Sequence, residues 1–181
     1  MKKSFFLSQI PSVLCDIFVK EMEQLEPMDA QMNPEGNMMT DHTKRHAIVR
    51  AADHWSWFGA ILYQNGLEAN CKEGWEFIVD SQEQVQLATY EEGMHYNWHV
   101  DTFLLSGKPH DRKVTVVCLM NDPSEFEGGE LQLNVGGQIL EAQLKKGSVI
   151  VFPSYILHRV TPVTKGVRKS AVMWLNGPAF K

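Results

Sequence analysis

Residues 130–144 read ELQLNVGGQILEAQL. Leu131, Leu133 and Val135 alternate with Glu130, Gln132 and Asn134, the two-residue period of a strand with one buried face. Gly136-Gly137 then breaks the pattern, and a second run, QILEAQL, begins at once. Two glycines between two such runs predict a tight β-hairpin.

The same kind of sequence surrounds this hairpin. VTVVCLM (114–120) is a continuous apolar run that predicts a strand, and Lys146-Gly147 turns the chain into another, SVIVF. Two more are expected around YILHRV and VRKSAVMWL, and Trp75, Phe77 and Val79 alternate further upstream. The N-terminal part has a different period. FFLSQI reads as a strand, and Ser12 is placed to cap a helix carrying Val13, Leu14, Ile17, Phe18, Met22 and Leu25. A second helix is expected from about Asp53, with Trp55, Phe58, Ile61 and Leu62, ending near Asn65-Gly66. MDAQMNPEGNMMTDH, between the two helices, reads as an exposed loop. Six to eight short strands after two helices predict a mainly β domain, an antiparallel barrel or jelly roll supported by helices. The expected division is mostly helical support over 1–74 and the jelly-roll core over 75–181, in one domain.

The chain has 181 residues and a formal net charge of −5. That length suits one domain with one core. A weakly acidic chain lacks the basic face that a phosphate backbone requires, so no nucleic-acid partner is expected. Lys165, Arg168 and Lys169 are its densest basic group. No segment reaches the ~18 apolar residues of a membrane span. Gln9 and Pro11 interrupt the apolar start, which reads as structure rather than as a leader. Cys15, Cys71 and Cys118 are scattered and odd in number, which fits reduced thiols and a cytoplasmic location.

His99-Val100-Asp101 lies in the strand-like stretch TYEEGMHYNWHVDT (89–102). Residues two apart on a strand point the same way, so His99 and Asp101 would project onto one face. Alone, H-x-D is a weak signal. His158 lies in another strand-like run, and Arg168, Ser170, Val172 and Trp174 share one face of the last strand. Arg and Ser at i and i+2 form a clamp for a carboxylate, with a bidentate charged pair and one hydroxyl bond. Two histidines and a carboxylate suit one face of an octahedral iron(II), with zinc as the competing metal.

In these motifs the sequence resembles the iron(II)- and 2-oxoglutarate-dependent dioxygenases, and most of all their prolyl 4-hydroxylase-like branch in its short single-domain microbial and phage form. Tyr90, Gly93, Tyr96, His99 and Asp101 match its Y-x-x-G-x-x-Y-x-x-H-x-D pattern, and Gly128-Gly129-Glu130-Leu131 its G-G-E-L hairpin. Phe152-Pro153-Ser154 with His158, and then Pro162-Val163, Gly166, Arg168 and Trp174, match its closing segments. The resemblance covers about residues 75–177.

The resemblance implies a double-stranded β-helix. It implies that His99, Asp101 and His158 hold iron(II), and that Arg168, Ser170 and Tyr90 hold 2-oxoglutarate. Tyr96 and Trp174 would line the substrate mouth. The implied reaction consumes O2 and 2-oxoglutarate, hydroxylates an unactivated C–H bond and releases succinate and CO2, with ascorbate as reductant. Peptidyl-proline is the implied target, in a peptide or protein substrate. A free amino acid or small metabolite is the alternative, and a non-catalytic jelly-roll binding module is the alternative of another class. His95 and His110 are expected to be ordinary surface histidines. The loops at 28–45 and 102–113 are expected to close over the substrate. Oligomeric state is not legible.

Overall fold

In the computed structural model, which describes residues 4–31, 40–53, 56–103 and 109–180, the hairpin at Gly136-Gly137 forms as expected. Its strands pair from Gln132↔Glu141 to Val135↔Gln138, and the two turn glycines lie at φ 60° and 87°. Only glycine takes such angles freely at both turn positions.

The elements in chain order are β1 (Phe6–Gln9), α1 (Ser12–Met22), β2 (Met28–Asp29), β3 (Arg45–His46), β4 (Ile48–Ala51), α2 (Trp57–Lys72), β5 (Ser81–Gln82), β6 (Gln86–Tyr90), β7 (His95–His99), β8 (His110–Leu119), β9 (Phe126–Gly128), β10 (Leu131–Val135), β11 (Gln138–Glu141), β12 (Ser148–Pro153), β13 (Leu157–Val160), β14 (Val163–Gly166) and β15 (Arg168–Pro178). A large antiparallel sheet runs β1-β12-β8-β15-β6-β4-β2, with β5 also on β15. A smaller one runs β11-β10-β13-β7-β3, and β14 pairs with β9.

Both faces of the large sheet are covered. Val114, Val116, Cys118, Val149, Val151, Ala171, Met173 and Leu175 pack against Cys15, Phe18 and Met22 of α1 and Phe58, Leu62 and Ala69 of α2. The alternate residues Val117, Ile150, Phe152, Ala88 and Tyr90 pack against Leu131, Leu133 and Val160 of the smaller sheet. A strand buried on both faces has no polar side, which is why VTVVCLM and SVIVF read as unbroken apolar runs. The architecture is a double-stranded β-helix with helices on one side, and the space between the two sheets is its interior.

Four local expectations are corrected. Ser12 is the first residue of α1 rather than its cap; the cap position is Pro11, and no side chain bonds the free N–H groups there. The second helix starts at Trp57, capped by Ser56, whose hydroxyl accepts from Gly59 N at 3.1 Å. It also runs through Asn65-Gly66 to Lys72. Gly66 is a packing residue: a Cβ there would stand 2.7 Å from Leu175 Cδ2 and 3.1 Å from Val116 Cγ2, so the bare glycine lets α2 lie close on the sheet. Trp75, Phe77 and Val79 face the core without forming a strand. The side-chain amide of Asn70 bonds both the N–H and the carbonyl of Phe77, at 3.0 and 2.9 Å, in place of a ladder, and Glu76 lies at φ 57°. Residues 28–51 contribute β2, β3 and β4, so the first third is less helical than its pattern suggests. Trp55 and parts of the loops 28–45 and 102–113 lie outside the described residues. Among the described residues no helix is long and apolar enough to cross a membrane.

Candidate functional site

The strand pairings bring the separated motifs together. His158 of β13 stands directly opposite His99 of β7 in the ladder. Asp101, just past β7, is held against the segment before β13 by its backbone N–H, which donates to Ser154 O at 2.9 Å. One ligand-capable atom from each of His99, Asp101 and His158 lies within 4.8 Å of the others.

Each imidazole is oriented by its own strand. His99 Nδ1 lies 2.7 Å from Asn97 O and His158 Nδ1 lies 2.8 Å from Ile156 O. A carbonyl only accepts, so in both rings Nδ1 is the nitrogen that donates to the backbone, which turns Nε2 towards the centre. Both Nε2 atoms face a carboxylate: His99 Nε2 is 3.6 Å from Asp101 Oδ1, and His158 Nε2 is 3.4 Å from Asp101 Oδ2. Burial, and then the neighbouring His158, push the His99 pKa down to about 3, so no proton mediates the contact near neutral pH. Burial alone would raise the Asp101 carboxyl, but His158, His99 and Arg112 outweigh it and hold it down at about 2. Two Nε2 atoms and an ionised carboxylate converging on one point offer three ligand atoms to a single cation. This donor set fits iron(II), with ring N–H groups anchored as metal-binding histidines require.

Around this group, Tyr96 stacks flat on His99, centroids 3.4 Å apart, with Arg45 over its ring at 4.8 Å. Burial raises the Tyr96 phenol to about 12, so it stays protonated. Trp174 is 4% exposed, with the Arg112 guanidinium over its ring at 3.7 Å. It therefore lies beneath Arg112 instead of standing open at a mouth. Among the described residues its buried indole N–H has no hydrogen-bond partner within normal geometry, yet it is near enough to Asp101 to favour the charged carboxylate. Arg112 is fixed by a bidentate pair to Glu83, 2.6 Å for each bond.

The second cluster lies on β15 and β6. Arg168 pairs across the ladder with Tyr90, and its Cζ lies 5.5 Å over the Tyr90 ring. It is 2% exposed and donates through Nη1 to Ser170 Oγ at 3.0 Å. Among the described residues no carboxylate pairs with it. Burial pushes its pKa down, with Tyr90 and Glu130 pulling weakly the other way. A buried charge without a counter-ion costs several kcal/mol, so the position calls for an anion. The glycines of the G-G-E-L hairpin explain how the guanidinium fits: Gly129 lies at φ 67°, and a Cβ there would stand 2.8 Å from Arg168 Cδ.

The family model of the 2OG-Fe(II) oxygenase superfamily matches residues 85–176, just over half the chain. The chain belongs to the 2OG-Fe(II) oxygenase superfamily. Members of the superfamily use iron(II), 2-oxoglutarate and O2. A PKHD-type hydroxylase of Thermosynechococcus vestitus is 42% identical over 89 residues, covering 48% of this chain and 40% of the relative. The oxygenase thus spans about 40% of the length of the curated relatives it matches. Its fold is that of a Pseudomonas putida prolyl-4-hydroxylase, at TM-score 0.74, 19% identity, and 96% and 93% coverage of the two chains. It is also that of a Trichoplax adhaerens prolyl hydroxylase solved with a hypoxia inducible factor peptide fragment, at TM-score 0.73, 15% identity, and 95% and 83% coverage.

His95 and His110 stay outside the cluster. His95 lies 3.3 Å from the backbone carbonyls of Gly93 and Thr43, and His110 pairs with Asp80 at 2.9 Å. Sequence reasoning missed Arg45, Arg112, Thr115 and Ser154. Thr115 is the one hydroxyl in the apolar run 114–120 and Ser154 closes the F-P-S motif, which are the signals that could have marked them.

Proposed function

We propose that this oxygenase hydroxylates a prolyl residue of a peptide or protein, with His99, Asp101 and His158 holding iron(II) and Arg168, Ser170 and Tyr90 holding 2-oxoglutarate. When bound, iron with 2-oxoglutarate and O2 supplies the oxidising power for an unactivated C–H bond, releasing succinate and CO2, with ascorbate keeping the metal reduced. The protein supplies placement. The Asn97 and Ile156 carbonyls hold each imidazole with Nε2 turned to the centre. The Arg168 guanidinium and Ser170 hydroxyl would donate to the far carboxylate of 2-oxoglutarate in a dry pocket, where a charge-assisted bond is strongest. The Tyr90 ring limits the space beside that carboxylate. Tyr96, stacked on His99, offers an aromatic wall to an apolar ring. Arg112, backed by Trp174, adds a fixed positive charge near Asp101.

The observation that carries the cosubstrate assignment is Arg168: a guanidinium 2% exposed and, among the described residues, without an ion pair, on the strand next to Tyr90. Support for the prolyl target comes from the Tyr90-to-Asp101 motif and from the fold neighbours. A proline ring has a fixed φ and no N–H, so it enters an aromatic-walled site at small entropic cost. To test this, the protein is incubated with iron(II), ascorbate, 2-oxoglutarate and either proline-containing peptides or free amino acids. A mass gain of one oxygen on a prolyl peptide, matched by succinate, is the expected result. Tight coupling of succinate to a free amino acid, with no peptide oxidised, would replace the prolyl assignment with a small-molecule one.

A further inference from the structure

Asp101 is held by more than its own strand. Its Oδ2 accepts from Thr115 Oγ1 at 2.7 Å, and Thr115 Oγ1 lies 2.9 Å from Ser154 Oγ. Thr115 is 1% exposed and Ser154 is 0%.

Proton counting orders this chain. A carboxylate only accepts, so the single Thr115 proton goes to Asp101. Thr115 Oγ1 has no proton left for Ser154 and must accept from it. The order is therefore Ser154 to Thr115 to Asp101, and each bond polarises the next in a dry interior. Ser154 is fixed in turn through its backbone: its N–H donates to Lys113 O at 3.0 Å and its carbonyl accepts from Asp101 N at 2.9 Å. Thr115 stands opposite Phe152 on one side and Trp174 on the other, so its strand cannot shift alone.

A carboxylate turns easily about its last torsion. Free to turn, Asp101 could offer both oxygens to a metal. A second oxygen would claim one of the positions that an oxygenase of this type needs for 2-oxoglutarate and O2. The Thr115 hydroxyl engages Oδ2, the oxygen 3.4 Å from His158 Nε2, and so fixes the turn of the carboxylate with Oδ1 facing His99.

We propose that Ser154 and Thr115 are positioning residues whose hydroxyl chain holds Asp101 as a one-oxygen ligand and so keeps the metal face open. This rests on His99, Asp101 and His158 being the metal ligands. Cobalt(II) serves as the probe, because the position and intensity of its visible bands report ligand number and geometry without turnover. The full chain and its Thr115→Val, Thr115→Ser and Ser154→Ala variants are titrated with cobalt(II), after a thermal melt confirms that each folds. Thr115→Val should bind cobalt roughly 10-fold more weakly and show a shifted spectrum. Ser154→Ala should shift in the same direction to a smaller extent, and Thr115→Ser should restore the wild-type bands. If Thr115→Val does not fold, the other two variants decide. A wild-type spectrum and affinity in Thr115→Val or Ser154→Ala overturns the proposal, as does a Thr115→Ser that fails to restore them, since the methyl group would then be what matters. A wild-type chain that binds no cobalt overturns the ligand assignment itself, a result distinct from variants that bind as wild type does.

Discussion

Arg168→Met should leave the ligand-free protein as stable as wild type or more so, and remove most of its response to 2-oxoglutarate. Arg168 is 2% exposed, it donates to Ser170 Oγ at 3.0 Å, and among the described residues it has no ion pair. Replacing buried charge by an apolar side chain of similar length is neutral or stabilising, by up to ~4 kcal/mol. With ligand present the sign reverses. Removing one partner of a buried charge pair costs ~2–5 kcal/mol, or roughly 30-fold to several-thousand-fold in affinity. Thermal unfolding with manganese(II), with and without 2-oxoglutarate, reads both effects. At about 100 times the wild-type Kd the ligand adds ~2.7 kcal/mol, which raises Tm by ~5–11 °C in a domain of this size. The same concentration is at most about three times the Kd of the variant, worth ~0.8 kcal/mol and ~2–3 °C. An undiminished shift in Arg168→Met, or a ligand-free variant several kcal/mol less stable than wild type, would refute the assignment of a buried cation waiting for an anion.

Gly129→Ala should cost ~1–3 kcal/mol of stability and weaken 2-oxoglutarate binding together, because the residue lies at φ 67° and its Cβ would stand 2.8 Å from Arg168 Cδ. Chemical denaturation and a 2-oxoglutarate titration check the pair of effects, and loss of stability alone would separate Gly129 from the clamp. Gly66→Ala should destabilise, although Ala in place of Gly inside a helix normally gains ~1 kcal/mol. The new Cβ would stand 2.7 Å from Leu175 Cδ2 in the closed core, and overpacking there costs ~1–3 kcal/mol; a higher denaturation midpoint would show that Leu175 has room to move.

What was legible in the sequence follows from how local its cause is. The hairpin at Gly136-Gly137 was readable because a two-residue turn depends on those two residues alone. The unbroken apolar runs of β8 and β12 were readable because burial on both faces removes every polar position. Gly66 was misread as a helix stop because its reason lies across the fold, on Leu175. The run from Trp75 to Val79 alternates as a strand does, but Asn70 satisfies the backbone of Phe77 before any neighbouring strand can. His99, Asp101, His158 and Arg168 stood out through residue type and spacing. Arg112, Arg45, Thr115 and Ser154 did not, since an arginine or hydroxyl in a strand usually faces water. Their meaning depends on the partners that pairing brings: Glu83 and Trp174, Tyr96, Asp101. Trp174 was placed correctly by parity on β15 and incorrectly by exposure, because the covering side chain, Arg112, comes from another strand.

A crystal grown with manganese(II) in place of iron tests the central claim most directly, through its anomalous difference density. The account predicts one strong peak between β7 and β13, within ~2.0–2.3 Å of His99 Nε2, an Asp101 carboxylate oxygen and His158 Nε2. A peak elsewhere, or one that leaves any of the three beyond ligand distance, would contradict it.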